Sequence, residues 1–324
     1  DTGASVTPIY TGDPDVPEGK FKPVLYTGNG GTSQDISCGF SPDLVWIKSR
    51  TNSTSHTLFD TMRGPGKYLS SNEMYGTIES PTDLTAFTPT GFSVGTNDTT
   101  NGGGREFTAW CWDAGGTTVI NNDGTIESRV RSNGTFSIVT YEGNQGNGTL
   151  VGHGLINAPS LILAKSTVQE YDWAVYHITT GVNNNLTLNQ SIEATGIPNF
   201  WGTAMTSTTF GIYDTVNSTN NTQGMIAYCW AESPTQSFGS YTGNGSVDGP
   251  VIDCGFEPAF VMIKCSTLSD TWWTVFDTAR KAANSNNQQL YPNEAQEETV
   301  YDPRQIDITS TGFTIKGSDS FVNS

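Results

Sequence analysis

The chain has 324 residues and a formal net charge of −17, with only 15 Lys and Arg residues. Affinity for nucleic acid depends on cationic side chains that displace counterions from phosphates, so this charge balance argues against a nucleic-acid partner. No apolar run approaches the roughly 20 residues that cross a bilayer, so we expect no membrane insertion.

Charged residues make up 15% of the chain, whereas Gly, Asn, Ser and Thr are abundant. This composition favours short strands and tight turns over long helices and predicts an all-β fold. Residues 1–20 contain three prolines and are predicted to form an extended N-terminal arm. They show no basic n-region of a signal peptide, and we expect that the natural chain was trimmed or begins further upstream.

From residue 21 onward the sequence contains three diverged copies of one unit, each about 100 residues long, which is too long for a solenoid turn. Each copy has a Tyr followed by a Gly-Asn turn, an apolar stretch that ends in Lys, a short strand, an Asn and a Gly-containing hairpin. The recurring lysines are Lys48, Lys165 and Lys264. We place the first copy at 21–116, the second at 117–234 and the third at 235–324, and predict three tandem β-sandwiches of jelly-roll or concanavalin-like type.

Two patterns within the first copy predict how its strands are buried. Leu44–Ile47 is almost continuously apolar, as expected for a strand covered on both faces. Trp110-Cys111-Trp112 alternates large and small residues, which places two indoles on one face and a thiol on the other. Helix is expected to be scarce, with one possible short turn at residues 278–284.

The first two copies close with an aromatic strand, Trp110-Cys-Trp112 and Tyr228-Cys-Trp230, for which the third copy shows no counterpart. We expect either that the natural chain continues by about ten residues, the length of a strand and its turn, or that a neighbour supplies the strand. The five cysteines are odd in number, lack CxxC spacing and mostly recur at strand positions. We therefore expect free thiols and folding in a reducing cytoplasm.

No catalytic, cofactor-binding or metal-binding residues are predicted. The three histidines, His56, His153 and His177, are scattered, and the last two replace residues of other types in the other copies. The sequence has no Gly-x-Ser-x-Gly elbow, HExxH motif or P-loop. We therefore expect a protein that is not an enzyme.

The recurring asparagines Asn72, Asn189 and Asn293 either tie a loop to the backbone or contact a ligand, and the structural interpretation is preferred. Trp173, Trp272 and Trp273 lie near polar turns. They form either a platform for sugars or part of a sandwich core. These six residues are the candidate ligand-facing set.

Several of these segments carry a resemblance to a known family. They include Tyr26–Gly30, Gly39–Lys48, Leu58–Gly64, Lys67–Asn72, Ala109–Trp112, Val151–Gly154 and Gly239–Ser246. They resemble a family of structural proteins from marine tailed phages, including those of cyanobacteria, over the chain from about residue 20 onward. The resemblance implies a virion location and carries no catalytic motif.

We therefore expect a non-enzymatic phage structural protein of a tail fibre or surface appendage. It would be made in the host cytoplasm, exposed on the virion, and in contact with other virion proteins. We also expect a homo-oligomer, no cofactor and a contribution to attachment to host-surface glycans. The alternatives are a capsid decoration protein and a polysaccharide depolymerase, which would need two carboxylates about 5–10 Å apart in a groove.

Overall fold

The computed structural model describes residues 20–203, 205–213, 217–281 and 287–324, together with the backbone of a strand at residues 4–8. The described residues are almost entirely strands and turns, and the pairings between their strands are antiparallel. The prediction of an all-β fold is confirmed.

The strands are short and follow one another closely. Up to the end of the first copy they are β1 (Ala4–Pro8), β2 (Phe21–Thr27), β3 (Gln34–Ser37), β4 (Leu44–Ser49), β5 (Thr57–Asp60), β6 (Lys67–Leu69), β7 (Ile78–Glu79), β8 (Leu84–Thr88), β9 (Gly91–Val94) and β10 (Glu106–Trp112). The second copy contains β11 (Val119–Asn121), β12 (Ser128–Ser132), β13 (Phe136–Tyr141), β14 (Thr149–Gly152), β15 (Leu161–Ser166), β16 (Ala174–His177), β17 (Asn184–Thr187), β18 (Thr195–Gly196), β19 (Thr209–Ile212) and β20 (Met225–Trp230). The third contains β21 (Gly239–Tyr241), β22 (Val251–Asp253), β23 (Phe260–Lys264), β24 (Thr274–Asp277), β25 (Gln288–Gln289), β26 (Thr299–Val300), β27 (Ile306–Thr309) and β28 (Gly312–Ile315).

Three large sheets share one strand order. The first is β2-β10-β4-β5-β6-β7, the second is β11-β12-β13-β20-β15-β16-β17-β18, and the third is β21-β1-β23-β24. In each, the strand that carries the recurring lysine (β4, β15 or β23) lies between the short strand that follows it in sequence and a strand from elsewhere in the chain. Four smaller sheets accompany them: β3-β9-β8, β14-β19, β22-β28-β27 and β25-β26.

In each large sheet the lysine-bearing strand is buried on both faces. On β4, Val45 and Ile47 pack into a local core with residues of the small sheet of the same copy, whereas Leu44 and Trp46 join a core shared by all three copies. The strands β15 and β23 divide their side chains between a local and the shared core in the same way. The predicted two-sided burial of Leu44–Ile47 is confirmed.

The closing strand of the first copy divides its side chains as predicted. Trp110 and Trp112 point into the shared core, while Cys111 packs into the local core of the first copy. This alternation follows from the two-residue repeat of a strand. The five cysteines are free thiols, as expected.

The third large sheet receives its middle strand from the N-terminus. Strand β1 lies between β21 and β23, antiparallel to both, at the place that β10 and β20 occupy in the other two sheets. Part of the predicted N-terminal arm is therefore a sheet strand. We expected this strand to come from a continuation of the chain or from a neighbour. In the structure it comes from the chain's own N-terminal segment. The sequence of Ala4–Pro8 lacks the aromatic residues that mark the other two closing strands.

Two short helices occur in the described residues, α1 (Asp98–Asn101) and α2 (Ser320–Asn323). The side chains of Asn97 and Asp319 cap their first turns by accepting a backbone N–H. The helical turn that the sequence suggested at residues 278–284 is absent from Thr278–Lys281, of which Thr278–Arg280 form bends. Residues 282–284 lie outside the described residues.

Candidate functional site

The residues that recur in the three copies meet where the copies contact one another. The recurring asparagines lie beside these contacts, and each side-chain oxygen accepts a backbone N–H from a residue 16 to 20 positions earlier. The bonds are His56 N to Asn72 Oδ1, Trp173 N to Asn189 Oδ1 and Trp273 N to Asn293 Oδ1, each 2.9 Å long. Each Asn thereby fixes the start of the strand that follows the lysine-bearing strand.

The three residues held by these asparagines carry ring nitrogens that bond across to a neighbouring copy. Each bond ends on the carbonyl oxygen two residues before that neighbour's own Asn. The bonds are Trp173 Nε1 to Ser70 O (2.8 Å), Trp273 Nε1 to Thr187 O (3.0 Å) and His56 Nε2 to Tyr291 O (3.0 Å). We call this set the inner ring, because it links the second copy to the first, the third to the second and the first to the third.

His56 takes part in the inner ring as a neutral donor. The indole of Trp46 donates to His56 Nδ1 at 2.9 Å, so Nδ1 carries no hydrogen and the proton of the neutral ring lies on Nε2, facing Tyr291 O. His56 is fully buried, and desolvation holds its pKa well below 6.5. It therefore takes the structural place of the tryptophans in the other copies.

A second set of contacts joins the same copies through backbone groups. Thr77 N donates to Thr167 O (2.7 Å), Ala194 N to Ser266 O (2.9 Å) and Glu298 N to Arg50 O (2.9 Å). We call these bonds the outer ring. They run from the first copy to the second, from the second to the third and from the third back to the first, so the three copies form a closed cycle.

Buried ion pairs lie at two of the three contacts between copies. Asp60 accepts from Arg63 Nε at 2.6 Å and from the hydroxyl of Tyr228, in the second copy, at 2.7 Å. Asp277 accepts from Arg280 Nε at 2.6 Å and from the indole of Trp110, in the first copy, at 2.9 Å. Each carboxylate thus neutralises a guanidinium of its own copy and binds an aromatic donor of the next.

At the third contact between copies, other residues stand in place of both the carboxylate and the aromatic donor. The second copy has His177 where the others have Asp60 and Asp277. In the third large sheet the strand that corresponds to β10 and β20 is β1. By register, Thr7 lies opposite Met262, the position that Trp110 and Tyr228 hold opposite Trp46 and Leu163. The carboxylate is therefore missing at the contact whose closing strand has no aromatic donor at that position.

One ion-pair cluster extends the contact between the third and first copies to the surface. Glu298 accepts from Arg50 Nη2 at 2.8 Å and from Arg280 Nη1 at 3.1 Å, and Arg50 also pairs with Glu106 at 3.1 Å. The guanidinium of Arg280 lies 5.9 Å from the centroid of the Trp110 ring. These buried charges stabilise one another by pairing. Removal of one of them would leave its partner buried without an opposite charge, which destabilises the fold.

The recurring lysines are buried and hold loops. Lys48 Nζ donates to Ser49 O, and Lys264 Nζ donates to Cys265 O, both at 2.8 Å. Lys165 Nζ donates to Met74 O of the first copy, also at 2.8 Å. Burial lowers the pKa of Lys48 to about 7 and those of Lys165 and Lys264 to about 8. In the described part of the chain no carboxylate forms an ion pair with any of the three.

A family model described as "Domain of unknown function (DUF7483)" matches residues 17–324. The chain belongs to this family. The comparisons with curated proteins and with solved structures found no match. The matched range of DUF7483 includes the three copies and both rings of contacts, and strand β1 lies outside it.

A further set of recurring residues in this DUF7483 domain was missed by the sequence reasoning. Three fully buried asparagines each accept a backbone N–H from the Asn of the Gly-Asn turn near the start of their copy. These bonds join Asn29 to Asn101, Asn144 to Asn220 and Asn244 to Asn323. The signal in the sequence is an Asn ten or eleven residues before the final Trp of the first two copies.

The six candidate ligand-facing residues do not form one surface. Trp173 and Trp273 are 0% and 1% exposed and belong to the shared core, so neither can act as a sugar platform. Trp272 is half-buried against Tyr291 and Phe321, with ring centroids 5.0 and 5.7 Å away. The three asparagines use their side-chain oxygens for the backbone bonds described above.

Two polar clefts open on the described surface. One, of about 490 Å³, is lined by residues of the first and second copies, including Lys20, Asp113 and Arg131. On its wall Arg131 Nε lies 2.6 Å from Asp43, whose pKa is raised by burial. The other, of about 430 Å³, is lined by residues of the second copy, including Glu127, Arg129 and Glu142.

The described residues contain no cluster of three or more His, Cys, Asp or Glu side chains suited to a metal ion. Among the described helices, none is long and apolar enough to cross a membrane. His153 is buried and engaged by Thr206 O and Leu155 N, and His177 bonds to Thr179. His153 and His177 are therefore engaged by groups of their own copy, whereas His56 bonds across to the third copy.

Proposed function

We propose that the chain is a non-enzymatic structural module of a tailed-phage virion, carried in a tail fibre or another surface appendage. The proposal includes three tandem β-sandwich copies of jelly-roll type, assembled around one shared core. Its partners are other virion proteins, and its exposed loops contribute to attachment to host-surface glycans. The resemblance of the repeated segments to phage structural proteins is the starting point for this assignment.

The observation that carries the proposal is the use made of the recurring polar residues. The three Asn, the ring donors, the Asp–Arg pairs and the three buried Lys bond to protein groups within and between copies. Residues kept at one position in all copies of a catalytic or binding array are expected to face a ligand, whereas these face one another. Such a distribution suits a rigid scaffold.

The aromatic core supports the same interpretation. It joins tryptophans and phenylalanines from all three copies, with pairs such as Trp112 and Trp230 at 6.1 Å and Trp110 and Phe260 at 5.5 Å between centroids. Buried aromatic side chains each remove a large apolar area from water, and their edge-to-face contacts add about 0.5–1.5 kcal/mol per pair. A body held in this way is suited to a particle that must survive outside a cell.

The test of location is labelling of intact virions with an antibody against this protein, read by electron microscopy. Label on fibres or tail tips is the expected result. Label distributed evenly over the capsid would instead support a decoration protein, and particles without label would contradict a virion location.

The test of attachment is binding of the purified chain to host cells and to their isolated surface polysaccharide. We expect retention on cells that is lost after the polysaccharide is removed. Release of reducing sugar ends during incubation would contradict the non-enzymatic assignment and favour a depolymerase. Equal binding to stripped and intact cells would exclude a glycan receptor.

A further inference from the structure

The place of strand β1 in the third large sheet differs from that of its counterparts in the other two. Strands β10 and β20 belong to the same copy as the strands they pair with, and they follow the Asn101 and Asn220 turns within a few residues. Strand β1 reaches β21 and β23 from the other end of the chain, with the first two copies between them in sequence. Its covalent link to the sheet is therefore indirect.

The pairing of β1 is also shorter. Strand β10 pairs with β2 along its whole length, Glu106–Trp112, and with β4 from Phe107 to Trp112. Strand β1 pairs with β23 from Ser5 to Pro8 and with β21 from Ala4 to Val6. Pro8 lacks an N–H and cannot donate to the ladder. Fewer backbone hydrogen bonds hold this strand than hold β10.

The groove that β1 fills is apolar and two-sided. Strand β23 is buried along Phe260–Lys264, and its side chains enter both the shared core and the local core of the third copy. Without a strand in this position, β21 and β23 would each present unpaired N–H and C=O groups. Such edges recruit strands from other chains.

We propose that the groove between β21 and β23 is a strand-accepting site that takes residues 4–8 of a second copy of this chain. Residues 4–8 of another copy would form the same register pairs, since both the strand and the groove are identical. An exchange of identical elements therefore costs little in contacts. The eleven residues 9–19 between β1 and Lys20 could span up to about 36 Å when extended, at about 3.3 Å per residue.

Strand exchange of this kind involves only molecules of this chain and does not depend on a virion location. Strand β1 of one molecule would enter the third large sheet of the next. Reciprocal exchange gives a closed dimer, and exchange in one direction gives an open series.

The register supplies a test with minimal perturbation. Ser5 lies directly opposite Ser240 on β21, and Ser240 is exposed. Full-length chains carrying Ser5→Cys are mixed with differently tagged full-length chains carrying Ser240→Cys and oxidised with glutathione disulfide. Oxidation joins the two thiols as a disulfide, and glutathione disulfide takes up the two electrons and two protons to give two molecules of glutathione. Only transfer of β1 between chains brings these two positions together.

The expected result is a disulfide-linked species of twice the mass of one chain. Mass spectrometry should assign its linkage to positions 5 and 240, which excludes the native cysteines. A mixture of Ser5→Cys with Ser246→Cys chains, whose second position is exposed but outside β21, is the matched control and should give no such species. The double variant S5C/S240C, once oxidised within one chain, should lose the ability to exchange.

Three outcomes would overturn the proposal. If the double variant forms its disulfide within one chain but the mixed single variants form none, β1 pairs only within its own chain. If neither forms the linkage, β1 does not occupy the groove in solution. Equal cross-linking at positions 240 and 246 would show random collision and would also overturn it.

Discussion

Replacement of Asp60 by Asn is the most direct probe of the contacts between copies. Asp60 is fully buried and accepts from Arg63 and from Tyr228 of the second copy. The substitution keeps the shape of the side chain and removes its charge, leaving the Arg63 guanidinium, whose side chain is 7% exposed, without a carboxylate among the described residues. Removal of one member of a buried ion pair costs about 3–5 kcal/mol, so we expect a loss of this size in the free energy of unfolding.

The equivalent change in the third copy should cost less. After Asp277→Asn, Arg280 keeps the carboxylate of Glu298 at 3.1 Å as a second partner. We therefore expect a loss of about 1–3 kcal/mol, in the range of a hydrogen bond to a charged group that is lost while other partners remain. Asp60→Asn should therefore lower the free energy of unfolding more than Asp277→Asn, because only Arg280 has a second carboxylate partner, Glu298.

Urea unfolding followed by tryptophan fluorescence measures both variants. The double variant D60N/R63M serves as the control, because it removes both charges and should recover most of the lost stability. If Asp60→Asn lowers the free energy of unfolding by less than about 1 kcal/mol, the buried ion pair does not stabilise this contact as expected. A double variant no more stable than Asp60→Asn would also refute the reasoning.

Three further predictions concern single residues. Trp173→Phe should destabilise by about 0.5–1.5 kcal/mol more than Trp112→Phe in urea unfolding, because it removes the indole donor of the buried Ser70 carbonyl, which keeps only the longer bond from Glu73 N at 3.4 Å. Trp112 Nε1 has no bonding partner in the described residues, so equal losses would contradict the inner ring. The pKa of Lys48 is about 7 in the folded chain and 10.5 is its ordinary value, so the unfolded state binds more protons between these values and stability should rise with pH from 7.5 to 9.5 by up to about 1.4 kcal/mol per pH unit. Lys48→Met should reduce that slope, measured as the urea midpoint against pH, and an unchanged slope would contradict the assignment. Gly28→Ala should lower the melting temperature, because its Cβ would lie 2.3 Å from Gly102 O, whereas Gly116→Ala, with open space around it, should leave it unchanged.

Local features of the fold could be predicted from the sequence because they depend on neighbouring residues. The apolar run Leu44–Ile47 and the alternation at Trp110–Trp112 state which faces are buried, since a strand repeats every two residues. The sequence shows that lysine recurs at one position of each copy. Its burial among carbonyl groups could not be predicted from that pattern, because lysine is usually exposed.

Contacts between copies could not be predicted in the same way. Tyr228 meets Asp60 across 168 positions, and the repeat pattern does not say which copy lies beside which. The middle strand β1 could not be predicted, because Ala-Ser-Val-Thr-Pro has none of the aromatic residues of β10 and β20. The pairing of His56 with Trp46 depends on which ring nitrogen carries the proton, and that follows only from the positions of both partners.

The cyclic order of the inner and outer rings limits how the number of copies can change. A linear array of repeats can gain or lose one unit, because each unit contacts only its neighbours. Here, in each ring, every copy donates a hydrogen bond to one neighbouring copy and accepts one from another, and the cycle closes between the third copy and the first. Deletion of one copy, or insertion of a fourth, would leave unmatched surfaces at two places at once. Three is therefore a copy number set by geometry, and we expect sequences with this pattern of contacts to vary in loop length while keeping three copies.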